Sequence, residues 1–161
     1  MATMAEALDP VDRQILTVLR QNARISNKAL AEQLGMAPSS CLERVRKLES
    51  RGVLTGYHAA VSTRALGIGM QAMVSVQLAE HRRENVESLK THLLSLPEVM
   101  TIFHVAGGKD FMVHVVVRDS DHLRELALHG FTSRPEVRHI ETGLIFETLR
   151  SMKVPFLDTD N

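Results

Sequence analysis

The stretch ISNKALAEQLGMAPSSCLERVRKLESRGVLTGY, residues 25–57, decides the fold of the first part of the chain. Ser26 offers a side-chain oxygen to the free amides of a short helix bearing Leu30 and Leu34, and Gly35 stands where a left-handed residue ends it. Only Met36 and Ala37 intervene before Pro38, whose fixed φ suits the first turn of a further helix with Cys41, Leu42, Val45 and Leu48 turned inward. Two short helices joined by a glycine-containing turn form a helix-turn-helix. The steep angle between them lets the second enter a DNA major groove while the first braces it. Removing the inward positions leaves Ser39, Ser40, Glu43, Arg44, Lys47 and Arg51 outside, groups able to reach base edges and phosphates. Gly52 stops the helix, and residues 53–58 read as a short extended wing.

Upstream, Asp9 followed by Pro10 signals another helix start. Val11, Ile15, Val18 and Leu19 define its apolar face until Asn22 and Ala23 break the pattern. Charge follows this division. The chain of 161 residues has no net charge. Yet from Arg20 to Arg51 there are seven basic residues (Arg20, Arg24, Lys28, Arg44, Arg46, Lys47, Arg51) against three acids. From Ala59 onward the count is eleven against thirteen. A basic front and a mildly acidic back suggest two units with different partners.

The composition is 44% hydrophobic and 24% charged, which supports a core and argues against disorder. Apolar runs of a few residues are far short of the roughly 20 needed for a membrane helix. The opening MATMAEALDPVDR has no basic, then apolar, signal pattern. One cysteine, Cys41, and eight methionines fit a reducing cytoplasm.

Residues 71–80 alternate, with Ala72, Val74, Val76 and Leu78 on one side, and so predict a strand. Val86, Leu89, Leu93 and Leu96 then recur at helical spacing until Pro97. Residues 98–106 and 110–118 are β-rich runs separated by Gly107-Gly108-Lys109, short enough for a hairpin. Ser120 is expected to cap a helix with Leu123, Leu126 and Ala127 that ends near Gly130, and a last strand to run over 137–149. The order β-α-β-β-α-β is the split ferredoxin-like arrangement, giving an α+β chain. Two helices cover one face of such a sheet. Phe111, Val113, Val115 and Val117 alternate with Met112, His114 and Val116, so the second face is also largely apolar and predicts a homodimer.

Residues 8–57 resemble the DNA-binding domain of the leucine-responsive/asparagine-operon regulator family (Lrp/AsnC), with CLERVRKLE followed by GVLTGY as the specific part. VAGGKDFMVHV, residues 105–115, resembles that family's effector-sensing domain. The resemblance implies a winged helix-turn-helix domain over 1–58, a linker over 59–70 and a ferredoxin-like effector and oligomerisation domain over 71–161. It implies a cytoplasmic, nucleoid-associated prokaryotic regulator that binds double-stranded DNA. The homodimer would assemble to a tetramer or octamer, and a free amino acid would alter its DNA affinity or assembly. Carried over by position, the recognition helix is Pro38–Arg51, with Ser39, Ser40, Arg44, Lys47 and Arg51 as DNA-binding residues and Arg24 and Lys28 near phosphates. The effector site would use Val105, Gly107, Gly108 and Asp110, whose carboxylate would take the ligand's ammonium group, with Thr142, Gly143 and Leu144 from a neighbouring dimer. The sequence departs from the family at Ala37, often serine there, which removes a helix cap.

Gly107-Gly108-Lys109-Asp110 lacks the spacing and the Ser or Thr of a phosphate-cradling loop. His104 and His114 would face each other across the hairpin, but without a third ligand they read as structural, so no metal or cofactor is expected. Two rival functions share these features. One is an architectural protein that wraps DNA with little sequence preference. The other is an enzyme resembling the sirohaem decarboxylases, which keep a similar pair of domains.

Overall fold

The computed structural model describes residues 8–156. They fall into two compact units, one holding the residues up to Ala60 together with those from Leu149 onward, the other running Val61–Thr148.

In the helical unit, α1 (Pro10–Gln21) begins as expected, with the Asp12 amide donating to Asp9 Oδ1 at 2.8 Å. The Ala29 amide donates to Ser26 Oγ at 3.2 Å and opens α2 (Asn27–Gln33). Gly35 adopts φ +65°, which lets the Met36 amide turn back to the Ala31 carbonyl at 2.9 Å. α3 (Pro38–Ser50) follows, with no side-chain cap from Ala37. Ile15, Leu19, Leu30, Ala31, Cys41 and Leu48 form the core, with Val11, Val18 and Val45 packed around it. Leu42, expected inside, is 38% exposed. Cys41, Val45 and Leu48 already fill the inward stripe, and position 42 lies about 100° around the helix from position 41.

The wing expected over 53–58 forms no strand. The Val53 and Leu54 amides both donate to the Leu48 carbonyl, at 3.0 and 3.1 Å, so the chain folds back on the end of α3. The domain expected over 71–161 also closes earlier than its last residue. Residues 149–156 group with the helices: Arg20 Nη2 donates to the Ser151 carbonyl at 3.2 Å, and the Arg13 guanidinium lies 5.2 Å from the Phe156 ring centre. Residues 1–7 and 157–161 of the expected ranges lie outside the described residues.

The sheet unit contains β1 (Met70–Leu78), α4 (Arg83–Ser95), β2 (Val99–His104), β3 (Phe111–Val117), α5 (Ser120–Glu125) and β4 (Val137–Leu144). The sheet order is β2-β3-β1-β4 with every neighbour antiparallel, the ferredoxin-like topology that the order of the elements predicts. Val86, Leu89 and Leu93 of α4, with Leu126 and Phe131, cover the face built from Ala72, Val74, Val76, Phe111, Val113, Val115 and Val117.

Three local expectations need correction. Asp119, not Ser120, caps α5, its Oδ1 accepting from the His122 amide at 2.8 Å. Gly130 does not end the helix, which continues as a π-helical segment, Leu126–Thr132. A Cβ on Gly130 would lie 2.9 Å from Leu126 Cδ1 and 3.2 Å from Leu96 Cδ1, so packing rather than termination explains this glycine. The last strand stops at Leu144 instead of 149. The Ile145 amide still donates to the Gln71 carbonyl, and β1 begins at Met70, so β4 runs out of ladder.

On the uncovered face, Thr101, His114, Met73 and Gly143 lie in one cross-strand row, and Phe103, Met112, Ser75 and Glu141 in the next. Phe103 and Met112 are 49% and 37% exposed. Among the described residues no helix is long and apolar enough to cross a membrane.

Candidate functional site

On α3, Ser39, Ser40 and Lys47 are exposed, as are Arg24, in the turn between α1 and α2, and Lys28 on α2. Ser39 and Ser40 occupy the first turn, whose amides have no side-chain cap. Arg51 is the residue that closes α3, half-buried. Arg44 differs from its neighbours. Its Nη1 donates to Asp12 Oδ1 at 2.8 Å and also to Asp9 Oδ2. The Asp12 amide and then the Arg44 guanidinium hold the Asp9 carboxyl below the usual carboxylate range, while Asp9 and Asp12 push Arg44 further up. Asn27 Nδ2 donates to the Pro38 carbonyl at 2.7 Å and ties α2 to the start of α3. Cys41 is fully buried, and burial pushes its thiol up, so it is a packing residue with little thiolate character.

In the sheet unit the β2–β3 loop is closed by the Val105 amide on the Asp110 carbonyl at 3.0 Å, and Gly107 takes φ +126°. Asp110 is anchored: its amide donates to the Val76 carbonyl at 2.9 Å, its Oδ2 accepts from the Leu78 amide at 2.7 Å, and its Oδ1 lies 2.7 Å from His81 Nδ1. The His104 ring stacks between His81, at 5.9 Å, and Phe111, at 4.7 Å. His81, His104, Val105, Ala106, Gly107 and Asp110 line an open depression of about 450 Å³.

The structure therefore brings Val105, Gly107 and Asp110 together, with Gly108 in the same loop but outside that lining. Thr142, Gly143 and Leu144 are exposed on β4, beside Val74, Met73 and Ala72 of β1, and do not line the depression within one chain. One link joins the two sets: Lys109 Nζ pairs with Glu141 and holds that carboxyl below its usual range.

Sequence reasoning missed His81 altogether and weighed His104 as a metal ligand or as an active-site histidine of the enzyme reading, not as part of an effector site. The expected facing of His104 and His114 does not occur, because His104 pairs with Phe111 and His114 with Thr101. His114 Nε2 instead meets Gln71 Oε1 at 2.9 Å. Among the described residues no group of three or more His, Cys, Asp or Glu side chains could hold a metal ion.

A helix-turn-helix unit with an exposed polar recognition helix, followed by a βαββαβ unit with a loop-built depression, defines a DNA-binding regulator coupled to a ligand-binding module. The comparisons agree. Residues 8–55 match the winged helix-turn-helix DNA-binding model, and residues 71–155 match the Lrp/AsnC ligand binding domain. The chain is 42% identical to the HTH-type transcriptional regulator AldR of Mycolicibacterium smegmatis over 91% of this chain and 85% of that protein. Among solved structures, MtbAldR is 36% identical with a TM-score of 0.74, over 89% of this chain and 95% of that one. A transcriptional regulator from Neisseria meningitidis, solved as an L-Met complex, is 26% identical with a TM-score of 0.83, over 90% of this chain and 94% of that one. This chain belongs to the Lrp/AsnC family and is a helix-turn-helix transcriptional regulator.

Proposed function

We propose that this regulator, and not an enzyme, acts in the cytoplasm on the nucleoid as a homodimer that assembles to a tetramer or octamer and takes a free amino acid as its effector. The observation that carries the effector reading is the depression lined by His81, His104, Val105, Gly107 and Asp110, within the segment that matches the family's ligand-binding domain. The L-Met complex of the Neisseria meningitidis relative supports an amino acid as the class of ligand. In this reading the loop amides around Gly107 and Gly108 take the carboxylate, and Asp110 and its surroundings take the ammonium group. Thr142, Gly143 and Leu144 of a neighbouring dimer complete the site, and no cofactor takes part.

Ser39, Ser40 and Lys47 contact the major groove in this proposal, with Arg24, Lys28 and Arg51 at phosphates. The uncovered sheet face, with Phe103 and Met112 exposed, is the surface through which two copies pair. A thermal-shift and calorimetric screen of the twenty amino acids tests the effector, because a ligand raises stability according to its concentration over its dissociation constant. A folded protein stabilised by none of them overturns the amino-acid reading. Sedimentation of a folded monomer at micromolar concentration overturns the dimer.

A further inference from the structure

Arg44 sits midway along α3, on the helix that addresses DNA, yet its charge is committed inside the helical unit. Both partners, Asp9 and Asp12, belong to the start of α1. Asp12 is only 7% exposed, so moving the guanidinium toward a base would strand a buried carboxylate, the costly way to break an ion pair. The three side chains together carry a net charge of −1, which repels an approaching phosphate rather than attracting it. Asp9 is doubly engaged, capping α1 through one oxygen and holding Arg44 with the other. With Asn27 fixing the Pro38 carbonyl, α3 is pinned at its first residue and again at its middle.

We propose that Arg44 is a positioning residue for DNA recognition: its bridge to Asp9 and Asp12 sets the angle at which α3 is presented, and Arg44 itself reads no base. This rests on the DNA-binding function and adds to it, by moving Arg44 from the contacts to the frame that holds them. The two roles predict opposite signs for one substitution. If Arg44 touched DNA, Asp12→Ala would release it and remove a competing negative charge, so binding would tighten. If Arg44 positions α3, Asp12→Ala loosens the helix and binding weakens, although the protein has become more positive.

The test uses the full-length chain, a duplex enriched from a randomised pool by the wild-type protein, and a random-sequence duplex of equal length. Affinities are measured at several salt concentrations, well below the unfolding temperature, with circular dichroism confirming the fold. Asp12→Ala is expected to lose affinity for the enriched duplex about tenfold, the scale of one good base contact, while binding to the random duplex does not weaken and the salt slope stays as in wild type. Arg44→Ala should match it, and the double variant should be no weaker than either single one. Arg44→Lys, whose shorter stem must bring a single ammonium to the place where Nη1 meets both carboxylates, should fall between wild type and Arg44→Ala. Should Asp12→Ala fold poorly, Asp9→Ser keeps an N-cap oxygen and removes one carboxylate, with the same direction of effect expected. Tighter or unchanged binding by the aspartate variants overturns the proposal, as does a salt slope lowered by about one in Arg44→Ala. Failure of the wild-type protein to enrich any duplex overturns sequence-specific binding itself, an outcome distinct from an unexpected pattern among the variants.

Discussion

Asp110 and Leu78 are joined across the end of the sheet: the carboxylate that precedes β3 accepts the backbone amide of the last residue of β1 at 2.7 Å. The same carboxylate meets His81 through its other oxygen. The acid at the mouth of the depression thus completes the backbone hydrogen bonding of a strand end before any ligand arrives.

Two substitutions separate these duties. Asp110→Asn keeps an acceptor for the Leu78 amide and discards the charge, whereas Asp110→Ala discards both. Thermal melts should show little change for the asparagine variant and a loss of about 1–3 kcal/mol for alanine. Calorimetry should show weakened amino-acid binding for both. Wild-type affinity in Asp110→Asn would locate the ammonium partner elsewhere.

Glu136 supplies a pH dependence. Burial pushes its carboxyl up, but the Arg134 guanidinium, at 2.7 Å, together with the backbone and the Ser88 hydroxyl, outweighs burial and holds it below its ordinary value of 4.5. A carboxyl lowered on folding adds stability that is present above its unfolded value and lost as pH falls through the folded one. Urea midpoints should therefore decline from about pH 4.5 downward. Glu136→Gln should lower stability at neutral pH and flatten that decline. An unchanged acid limb would show that other groups govern it.

The thiol of Cys41 is completely buried in the helical core. A thiol reagent should label the native protein only as fast as the helical unit opens, and should label the urea-unfolded chain at once. Rapid stoichiometric labelling under native conditions would contradict the packing of α3.

Gly69 approaches the neighbouring strand end too closely for any side chain. Its amide donates to the Val117 carbonyl at 3.0 Å, and a Cβ would lie 2.1 Å from the Arg118 carbonyl oxygen. Gly69→Ala should cost about 3 kcal/mol by chemical denaturation. Gly108→Ala, where a Cβ meets nothing within 4 Å, should stay within about 0.5 kcal/mol.

What the sequence made legible is what a few consecutive residues settle. Asp9, Ser26 and Gly35 announce helix ends through local hydrogen bonds, and the alternation at 72–78 and 111–117 locates the two central strands. Asp119 and Ser120 are both good caps side by side, and local pattern does not rank them. The end of β4 depends on where β1 begins, some seventy residues earlier in the chain, a distance no periodicity reports. Arg44 reads as a surface arginine because its partners lie 32 and 35 residues away. His81 joins the depression through Asp110, 29 residues on, and the contact of Arg20 with Ser151 spans 131.

That last contact changes how the helical unit should be cut. The backbone leaves it near Ala60 and re-enters at Leu149, so the sheet unit is spliced into the helical one like an insertion between two exons of a single module. A minimal DNA-binding fragment is then made by suturing residues 8–60 to 149–156 through a short artificial bridge; ending the clone at residue 60 would amputate the strip beneath which Arg13 and Arg20 dock.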